Sequence, residues 1–195
     1  MKKYRKYFWI KRCFDILFSL LMLPFLVLLI FLVFIVQSRG IGVFYQQLRV
    51  GMNGNRFALY KFKTMKDSSR EMKLSSAGVV KVKNDNRITK FGGFMRSFGL
   101  DEMPQILNVF IGEMSWVGPR PIVEQEHDHL SIKEKERVSV LPGITGLAQI
   151  NGRAALDLST VASYDLQYIR NYSSVLDIKI IFNSVPIVLF RENSF

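Results

Sequence analysis

The sequence predicts an α+β fold: a small, mostly helical domain with a short β-hairpin, anchored by an N-terminal re-entrant membrane helix and by interfacial amphipathic helices. Three observations predict it. Residues 16–36 are apolar and carry no formal charge, residues 43–62 hold two β-type segments around an Asn-Gly turn, and most of the remaining chain carries helix-compatible patterns. We expect the membrane element to occupy residues 1–38 and the second domain residues 39–195.

Composition points to anionic partners. The 195 residues suit one domain plus a membrane element, and 27 lysines and arginines against 16 acids leave a net charge of +11. Such a charge favours nucleic acid, phosphorylated substrates or an acidic lipid surface, and does not choose among them. The single cysteine, Cys13, rules out an internal disulfide and fits a reducing compartment.

The apolar stretch is long enough to cross a bilayer, since its twenty-one residues would form a helix of about 30 Å. It is too long for the core of a cleavable signal peptide, and no small-residue cleavage site follows it. Both flanks are basic, however, and basic flanks prefer the cytoplasm. A single crossing would therefore place one basic flank on the wrong side.

Pro24 lies inside this stretch and is expected to bend or break the helix. Ser19 is well placed to satisfy a carbonyl group that the proline leaves free. A re-entrant helix that enters and leaves by the cytoplasmic face accounts for the proline and for both basic flanks. An ordinary signal-anchor span with a proline kink is the alternative.

The first half of the second domain combines a hairpin with short helices. Residues 43–49 and 56–62 predict two strands joined by an Asn-Gly turn. Residues 66–86 are polar and predict a short helix and a loop, which is either a flap over a site or a solvated connection. Residues 88–98 are expected to be helical after the glycines.

Two adjacent carboxylates, Asp101 and Glu102, are the main candidates for chemistry. Residues 100–110 predict a helix, and because Pro104 fits only its first turn, the pair falls at or just before the helix start. Backbone N–H groups there keep a carboxylate ionised and attract phosphate. Adjacent acids suit a nucleophile and a proton acceptor acting together, although spacing alone also allows simple capping charges.

A Gly-Pro-Arg-Pro turn at residues 118–121 follows, and its Arg120 could grip a phosphate with two parallel hydrogen bonds. Residues 124–137 are densely charged and helix-compatible; His127 and His129 would point apart on a helix, so no metal site is expected there. Residues 142–153 are rich in turns where the backbone could approach a nucleotide. Residues 176–190 are apolar but too short to span, and either lie in the membrane interface or complete the core.

Together these motifs closely resemble the bacterial sugar transferases, the monotopic polyprenyl-phosphate phosphoglycosyl transferases, from about residue 11 to about residue 181. The matching residues include Lys11, Arg12 and Asp15; Gln47, Arg49 and Gly51; residues 61–65, 85–89 and 100–105; residues 118–121, 142–146 and 151–153; and Tyr164, Asp165 and Asp177. The chain departs from the family at Leu23, where a serine usually precedes the proline, and at residues 42–43, Lys63 and Met103.

The resemblance implies transfer of a sugar-1-phosphate from a UDP-sugar to undecaprenyl phosphate, with release of UMP, as the first membrane step of polysaccharide or glycoprotein biosynthesis. Asp101 would attack the phosphorus nearest the sugar and form a covalent phosphosugar intermediate, and Glu102 would help activate the lipid phosphate. Mg²⁺ held near Asp101 would neutralise the pyrophosphate. The cations expected to contact phosphate or nucleotide are Lys61, Arg96, Arg120 and Arg153.

The expected partners are the UDP-sugar donor, undecaprenyl phosphate and membrane lipid, with no nucleic acid, at the cytoplasmic face of the bacterial inner membrane. A homodimer is one alternative for the oligomeric state, which the sequence does not determine, and neither the sugar nor the glycan is specified. Three other functions remain open: a membrane-anchored basic protein that binds anionic lipid or nucleic acid without catalysis, an inactive relative, and a transferase that moves only the sugar and releases UDP.

Overall fold

The computed structural model describes residues 2–37, 40–66, 74–75, 78–79, 85–152 and 156–189. The α-helices are α1 Lys2–Gln37, α2 Lys90–Ser97, α3 Gln105–Ile111, α4 Glu124–Asp128, α5 Leu147–Ile150, α6 Leu158–Arg170 and α7 Ser174–Leu189. The strands are β1 Phe44–Val50, β2 Arg56–Phe62, β3 Leu74–Ser75, β4 Gly78–Val79, β5 Ser115–Val117 and β6 Gly143–Thr145. Short 3₁₀ helices occupy Met52–Gly54, Leu100–Glu102 and Glu134–Ser139.

Helix α1 is the one helix among the described residues that is long and apolar enough to cross a membrane. Only 17% of its most apolar window is buried, whereas the core helix of a water-soluble protein would be mostly buried. The helix runs through Pro24 without a gap, so the expected break does not divide it into two separate helices.

One stripe of α1 docks on the rest of the protein along most of its length. The buried positions recur at intervals of four or seven residues, the spacing of one helix face: Lys11, Asp15, Ser19, Leu26, Val33 and Gln37. The other faces expose large apolar side chains such as Leu17, Leu21 and Phe31. The helix therefore offers one surface to the protein and a much larger apolar surface to its surroundings.

The first half of α1 is held by polar contacts. Asp15 Oδ1 accepts hydrogen bonds from Ser115 Oγ at 2.9 Å and from the Trp116 backbone N–H at 3.1 Å. The Trp116 indole N–H donates to Ser19 Oγ at 3.1 Å. Ser19 thus accepts from an indole of β5, because docking brings that strand against this helix face. Its expected role beside a carbonyl freed by Pro24 stays a prediction.

The second half of α1 is held mainly by apolar packing. Leu26 and Val33 join Phe62, Met95 and Ile106 in a core cluster that also unites β2, α2 and α3. At the end of the helix, Gln37 Nε2 donates to the Lys63 backbone carbonyl at 3.1 Å. Both halves of α1 thus contact the same domain.

The predicted hairpin is confirmed. Strands β1 and β2 pair antiparallel with Gln46 opposite Tyr60, and the loop closes with a 2.7 Å hydrogen bond from the Gly51 N–H to the Asn55 carbonyl. Asn53 and Gly54 have φ angles of 59° and 79°. These left-handed conformations are the reason that asparagine and glycine suit the turn.

The outer edge of β2 is closed by one side chain rather than by a third strand. The fully buried Asn108 accepts a hydrogen bond from the Tyr60 N–H at 3.1 Å and donates to the Ala58 carbonyl at 2.8 Å. Its amide also donates to Glu113 at 2.7 Å. A primary amide offers a donor and an acceptor as a peptide group does, so Asn108 fixes α3 to the hairpin and satisfies an otherwise unpaired strand edge.

Helix α2 begins earlier than expected. The sequence predicts a helix after the glycines, but α2 starts at Lys90 and includes them, because Thr89 caps it by accepting a 2.8 Å hydrogen bond from the Gly92 N–H. A Cβ atom at Gly92 would lie 2.2 Å from the Thr64 carbonyl oxygen. The glycine therefore allows α2 to approach the end of the hairpin closely.

The charged stretch at residues 124–137 divides into α4 and a 3₁₀ helix instead of one long helix. Ser131 precedes the 3₁₀ helix Glu134–Ser139; its N–H donates to Glu134 Oε2 at 2.9 Å, and its Oγ accepts from the Glu134 N–H at 3.4 Å. These reciprocal hydrogen bonds resemble a capping box and start this segment separately from α4. The polar loop predicted at residues 66–86 lies for the most part outside the described residues.

The C-terminal half packs around a short parallel pair, β5 and β6. Val117, Tyr168 and Ile180 form its core cluster, so α7 completes the core with one face. Another face of α7 exposes Val175, Ile178, Phe182 and Val185 at helical spacing. The sequence left two alternatives for this segment, core packing and a membrane interface. One face of α7 packs in the core, and another face is an apolar surface suited to a membrane interface.

Replacing Asn108 with alanine should destabilise the protein by about 3 kcal/mol, because buried groups on β2 would lose their partners. Thermal or denaturant unfolding of the detergent-purified protein measures the effect. Asn171→Ala is the matched control, since that exposed side chain donates only to the Gln167 carbonyl at 3.0 Å. Equal effects of the two substitutions would contradict the role of Asn108 as an edge closure.

Candidate active site

The carboxylate pair lies where the sequence places it, just before α3. Asp101 and Glu102 belong to the 3₁₀ turn Leu100–Glu102, and Pro104 immediately precedes the first residue of α3. The turn is entered through Gly99 in the left-handed conformation, with a φ angle of 66°. This sharp entry presents two consecutive acidic side chains at the end of α2 and beside β2.

Glu102 is held by two cations from different parts of the chain. Its Oε1 lies 2.8 Å from Lys61 Nζ on β2 and 2.5 Å from Arg120 Nη2 on the Gly-Pro-Arg-Pro turn. Arg120 Nη1 also donates to Oε2 at 3.2 Å, which completes a two-pronged contact. Burial alone would raise the pKa of Glu102, but Arg120 and Lys61 outweigh it and hold the pKa well below its usual range.

Asp101 has a different environment, although it is the next residue. Its side chain makes no hydrogen bond or ion pair with any of the described residues, and the residue is only 9% exposed. Burial, and then repulsion from Glu102, raise the pKa of Asp101; Lys61, Arg96 and Arg120 partly oppose that rise. The pair is therefore divided into one carboxylate committed to cations and one that is available.

Arg96 completes the cationic surroundings from α2. Its Nε donates to Thr64 Oγ1 at 2.9 Å, just after the end of β2. Three of the four predicted cations, Lys61, Arg96 and Arg120, thus meet around the acidic pair. The fourth, Arg153, lies outside the described residues.

Arg49 is a further member of this region that the sequence marked only as part of a motif. Its Nη1 donates to the Pro121 carbonyl at 3.3 Å, and its Nη2 donates to Gln47 Oε1 at 2.6 Å. Burial and the nearby charge of Arg120 lower the pKa of Arg49 to about 10, so it remains a cation at neutral pH. The spacing of Gln47 and Arg49 was the available signal, since alternate residues of a strand share a face.

Asp101 is the carboxylate that would hold Mg²⁺ if the ion is bound together with a substrate. Among the described residues, no group of three histidine, cysteine, aspartate or glutamate side chains could hold a metal by itself. Mg²⁺ is commonly bound through one or two carboxylates together with substrate phosphates, and the oxygens of Glu102 already contact Lys61 and Arg120. The donor set therefore fits a metal that arrives with a phosphorylated ligand.

The arrangement suits nucleophilic chemistry on an anionic group. An available carboxylate is a capable nucleophile, but it must approach a negatively charged centre. The nearby guanidinium and ammonium groups would offset that charge without rearranging during the reaction. Neither the nucleophile nor the cations that offset the charge include His127 or His129.

Comparison with known proteins identifies the family of the sequence. The sequence profile described as "Bacterial sugar transferase" matches residues 6–191. The exopolysaccharide production protein ExoY of Rhizobium meliloti is 37% identical over 95% of this chain and 88% of its own length.

Two longer relatives have more specific names. The undecaprenyl-phosphate galactose phosphotransferase of Salmonella typhimurium is 37% identical over 95% of this chain and 42% of its own length. The UDP-glucose:undecaprenyl-phosphate glucose-1-phosphate transferase of Klebsiella pneumoniae is 41% identical over 90% of this chain and 39% of its own length. The chain thus spans less than half of these two proteins. Since the family profile extends over nearly the whole sequence, the chain belongs to the bacterial sugar transferase family.

Proposed function

We propose that the protein transfers a sugar-1-phosphate from a UDP-sugar to undecaprenyl phosphate and releases UMP. The observation that carries the proposal is the division of the acidic pair. Asp101 has no hydrogen-bond or ion-pair partner among the described residues and lies near Lys61, Arg96 and Arg120, while Glu102 is bound by Lys61 and Arg120. The names of the Salmonella and Klebsiella relatives, which specify transfer of a sugar phosphate to undecaprenyl phosphate, support the same reaction class.

In the first step, an Asp101 carboxylate oxygen forms a bond to the phosphorus next to the sugar. The bond from that phosphorus to the bridging oxygen breaks, and UMP leaves with the electron pair. Lys61, Arg96 and Arg120 would hold the diphosphate and offset the charge that develops on it. Mg²⁺ bound by Asp101 and the diphosphate would further neutralise the leaving group.

In the second step, a phosphate oxygen of undecaprenyl phosphate bonds to the same phosphorus. The bond to Asp101 breaks, which regenerates the carboxylate and forms a diphosphate-linked sugar on the lipid. The family resemblance assigns Glu102 to activating the acceptor, and that role stays a prediction. A carboxylate with a lowered pKa is, however, a weak proton acceptor. Phosphate monoesters have a second pKa of about 6 and need little help to ionise. We therefore assign Glu102 to holding Lys61 and Arg120 in place.

The reaction joins a water-soluble donor to a lipid acceptor, so the site must lie at a membrane surface. Both halves of α1 pack on the domain that carries the acidic pair, through Asp15 and Ser19 in one half and Leu26 and Val33 in the other. A helix that crossed the bilayer completely would carry one half away from a domain on the membrane surface. This packing supports a monotopic arrangement in which α1, continuous through Pro24, keeps both of its ends on the cytoplasmic side.

The primary test is nucleotide release by the detergent-purified full-length chain with undecaprenyl phosphate, Mg²⁺ and a panel of UDP-sugars that includes UDP-galactose and UDP-glucose. We expect UMP from at least one donor, and Asp101→Asn should lower the rate at least about 1,000-fold because the nucleophile is lost. Glu102→Gln should also reduce transfer strongly, since it removes the charge that holds both cations. Release of UDP would indicate transfer of the sugar alone, and no nucleotide from any donor would contradict the proposal.

The covalent step has a separate readout. Without undecaprenyl phosphate, the protein should gain the mass of one phosphosugar and release about one equivalent of UMP. Asp101→Asn is the control and should show neither. Normal lipid-dependent turnover by that variant would remove Asp101 from the nucleophile role.

Asp101→Asn should also raise the midpoint of thermal unfolding at pH 7. A pKa raised by folding means that the stability contribution of the carboxyl is present at low pH and is lost as pH rises through the folded-state pKa. The wild-type protein therefore bears the cost of a buried charge at pH 7, which asparagine removes. The rise in the unfolding midpoint caused by Asp101→Asn should become smaller as pH falls through the pKa of Asp101.

Asp157→Asn is the control, because it should shift the midpoint of thermal unfolding in the opposite direction. Asp157 caps α6 by accepting a hydrogen bond from the Thr160 N–H, and that contact lowers its pKa. Its substitution should lower the midpoint at pH 7 and lose its effect at low pH. If Asp101→Asn behaved in the same way, the stated environment of Asp101 would be wrong.

The monotopic arrangement predicts that both ends of α1 are cytoplasmic. With the single cysteine Cys13 replaced by serine, one new cysteine is introduced at Lys2 or, in the hairpin loop, at Asn55. A membrane-impermeant maleimide should label neither site in intact spheroplasts and both after permeabilisation. Labelling of only one of the two sites in intact spheroplasts would indicate a complete crossing.

A further inference from the structure

The Gly-Pro-Arg-Pro turn is held through its carbonyl groups by partners from three other segments. The Pro119 carbonyl accepts from the Gly143 N–H at 2.9 Å, and the Arg120 carbonyl accepts from Arg137 Nη2 at 2.9 Å. The Pro121 carbonyl accepts from Arg49. Because prolines have no N–H, two of the four residues cannot donate backbone hydrogen bonds, and the turn depends on donors brought by the rest of the fold.

Arg137 is the least expected of these donors. It is only 2% exposed, and its Nη2 lies 2.6 Å from Oδ2 of Asp165, which is completely buried on α6. Burial outweighs the attraction of Arg137 and raises the pKa of Asp165 to about 6. Burying two charges is costly, and an apolar pair of similar volume is often as stable or more stable. Stability alone therefore does not account for this pair.

The position of the ion pair of Arg137 and Asp165 indicates a role in the active site. Arg137 binds the backbone of the same residue whose side chain grips Glu102 with two hydrogen bonds. A two-pronged contact tolerates little displacement, and errors of about 1 Å in an active site are costly. A displaced Arg120 carbonyl would carry its guanidinium away from Glu102 and from a bound phosphate.

We propose that Arg137, anchored by Asp165, is a positioning residue that fixes the Arg120 backbone and thereby the contact between Arg120 and Glu102. It acts through Arg120 and does not touch the reacting groups. The proposal rests on the proposed function in one respect only, that Arg120 serves the transfer reaction. The geometric part can be tested without any activity.

The test uses the full-length protein and replaces the buried ion pair with an apolar one, Arg137→Met with Asp165→Leu. Arg137→Lys is the second variant, which keeps the charge but loses the reach and fork of the guanidinium and remains informative if the apolar pair does not fold. The control applies the same replacements to the exposed ion pair of Arg56 and Glu124, Arg56→Met with Glu124→Leu, whose side chains bind each other.

The first readout is hydrogen–deuterium exchange at the backbone amides of Gly118, Arg120 and Ile122, since Pro119 and Pro121 have no amide hydrogen. We expect exchange at least about fivefold faster in both Arg137 variants and unchanged exchange in the control. Unchanged exchange in whichever Arg137 variants fold would overturn the proposal. An inactive wild-type protein with this exchange pattern would count against the proposed function and leave the positioning role in place.

The second readout is a double-mutant cycle on turnover. The Arg137 variants should lose about tenfold or more in kcat/KM. Adding Arg120→Met to them should cost much less than it costs in the wild-type protein, since Arg120 would already be misplaced. If the losses in kcat/KM from the Arg137 and Arg120 substitutions simply multiply, Arg137 does not act through Arg120, and the proposal would be overturned.

Discussion

The carboxylate of Glu102 joins three segments that are distant in sequence. Lys61 approaches it from the hairpin and Arg120 from the Gly-Pro-Arg-Pro turn, while Glu102 itself precedes α3. A largely desolvated charge is expensive unless it is paired, so the three segments must meet for the protein to fold around this group. The neighbouring carboxylate of Asp101 has no hydrogen-bond or ion-pair partner in the part of the chain that the structure describes, so adjacent residues provide two different carboxylates.

Polar residues of α1 set the face by which the helix docks. Buried polar groups need hydrogen-bond partners, and Asp15 finds them on β5 while Lys11 pairs with Asp177 on α7. Arg12 donates to the carbonyls of Val109 and Phe110, the last turn of α3. A helix that would otherwise be apolar on every side is thereby given one orientation. This is a physical reason for the Lys-Arg-x-x-Asp pattern at its entry.

Local chemistry accounts for the elements that the sequence predicted well. The hairpin follows from β-type segments around Asn53 and Gly54, and the start of α3 follows from Pro104. A prediction was wrong where a distant contact decided the outcome: helix α2 includes its glycines because one of them faces Thr64. The contact between Ser19 and an indole was not predicted, because it depends on β5 packing against α1. The division of the chain at residue 38 and the roles of the site residues stay predictions.

By itself, the sequence determined the parts of the candidate site: an adjacent acidic pair, a set of cations and an apolar anchor, each visible from residue type and spacing. Only the tertiary structure decided how these parts differ from one another. It paired Glu102, left Asp101 available and gave the Arg120 backbone a buried guanidinium donor in Arg137. The reason is that pairing, desolvation and carbonyl contacts depend on distances between segments that are remote along the chain, and local sequence patterns carry no information about those distances.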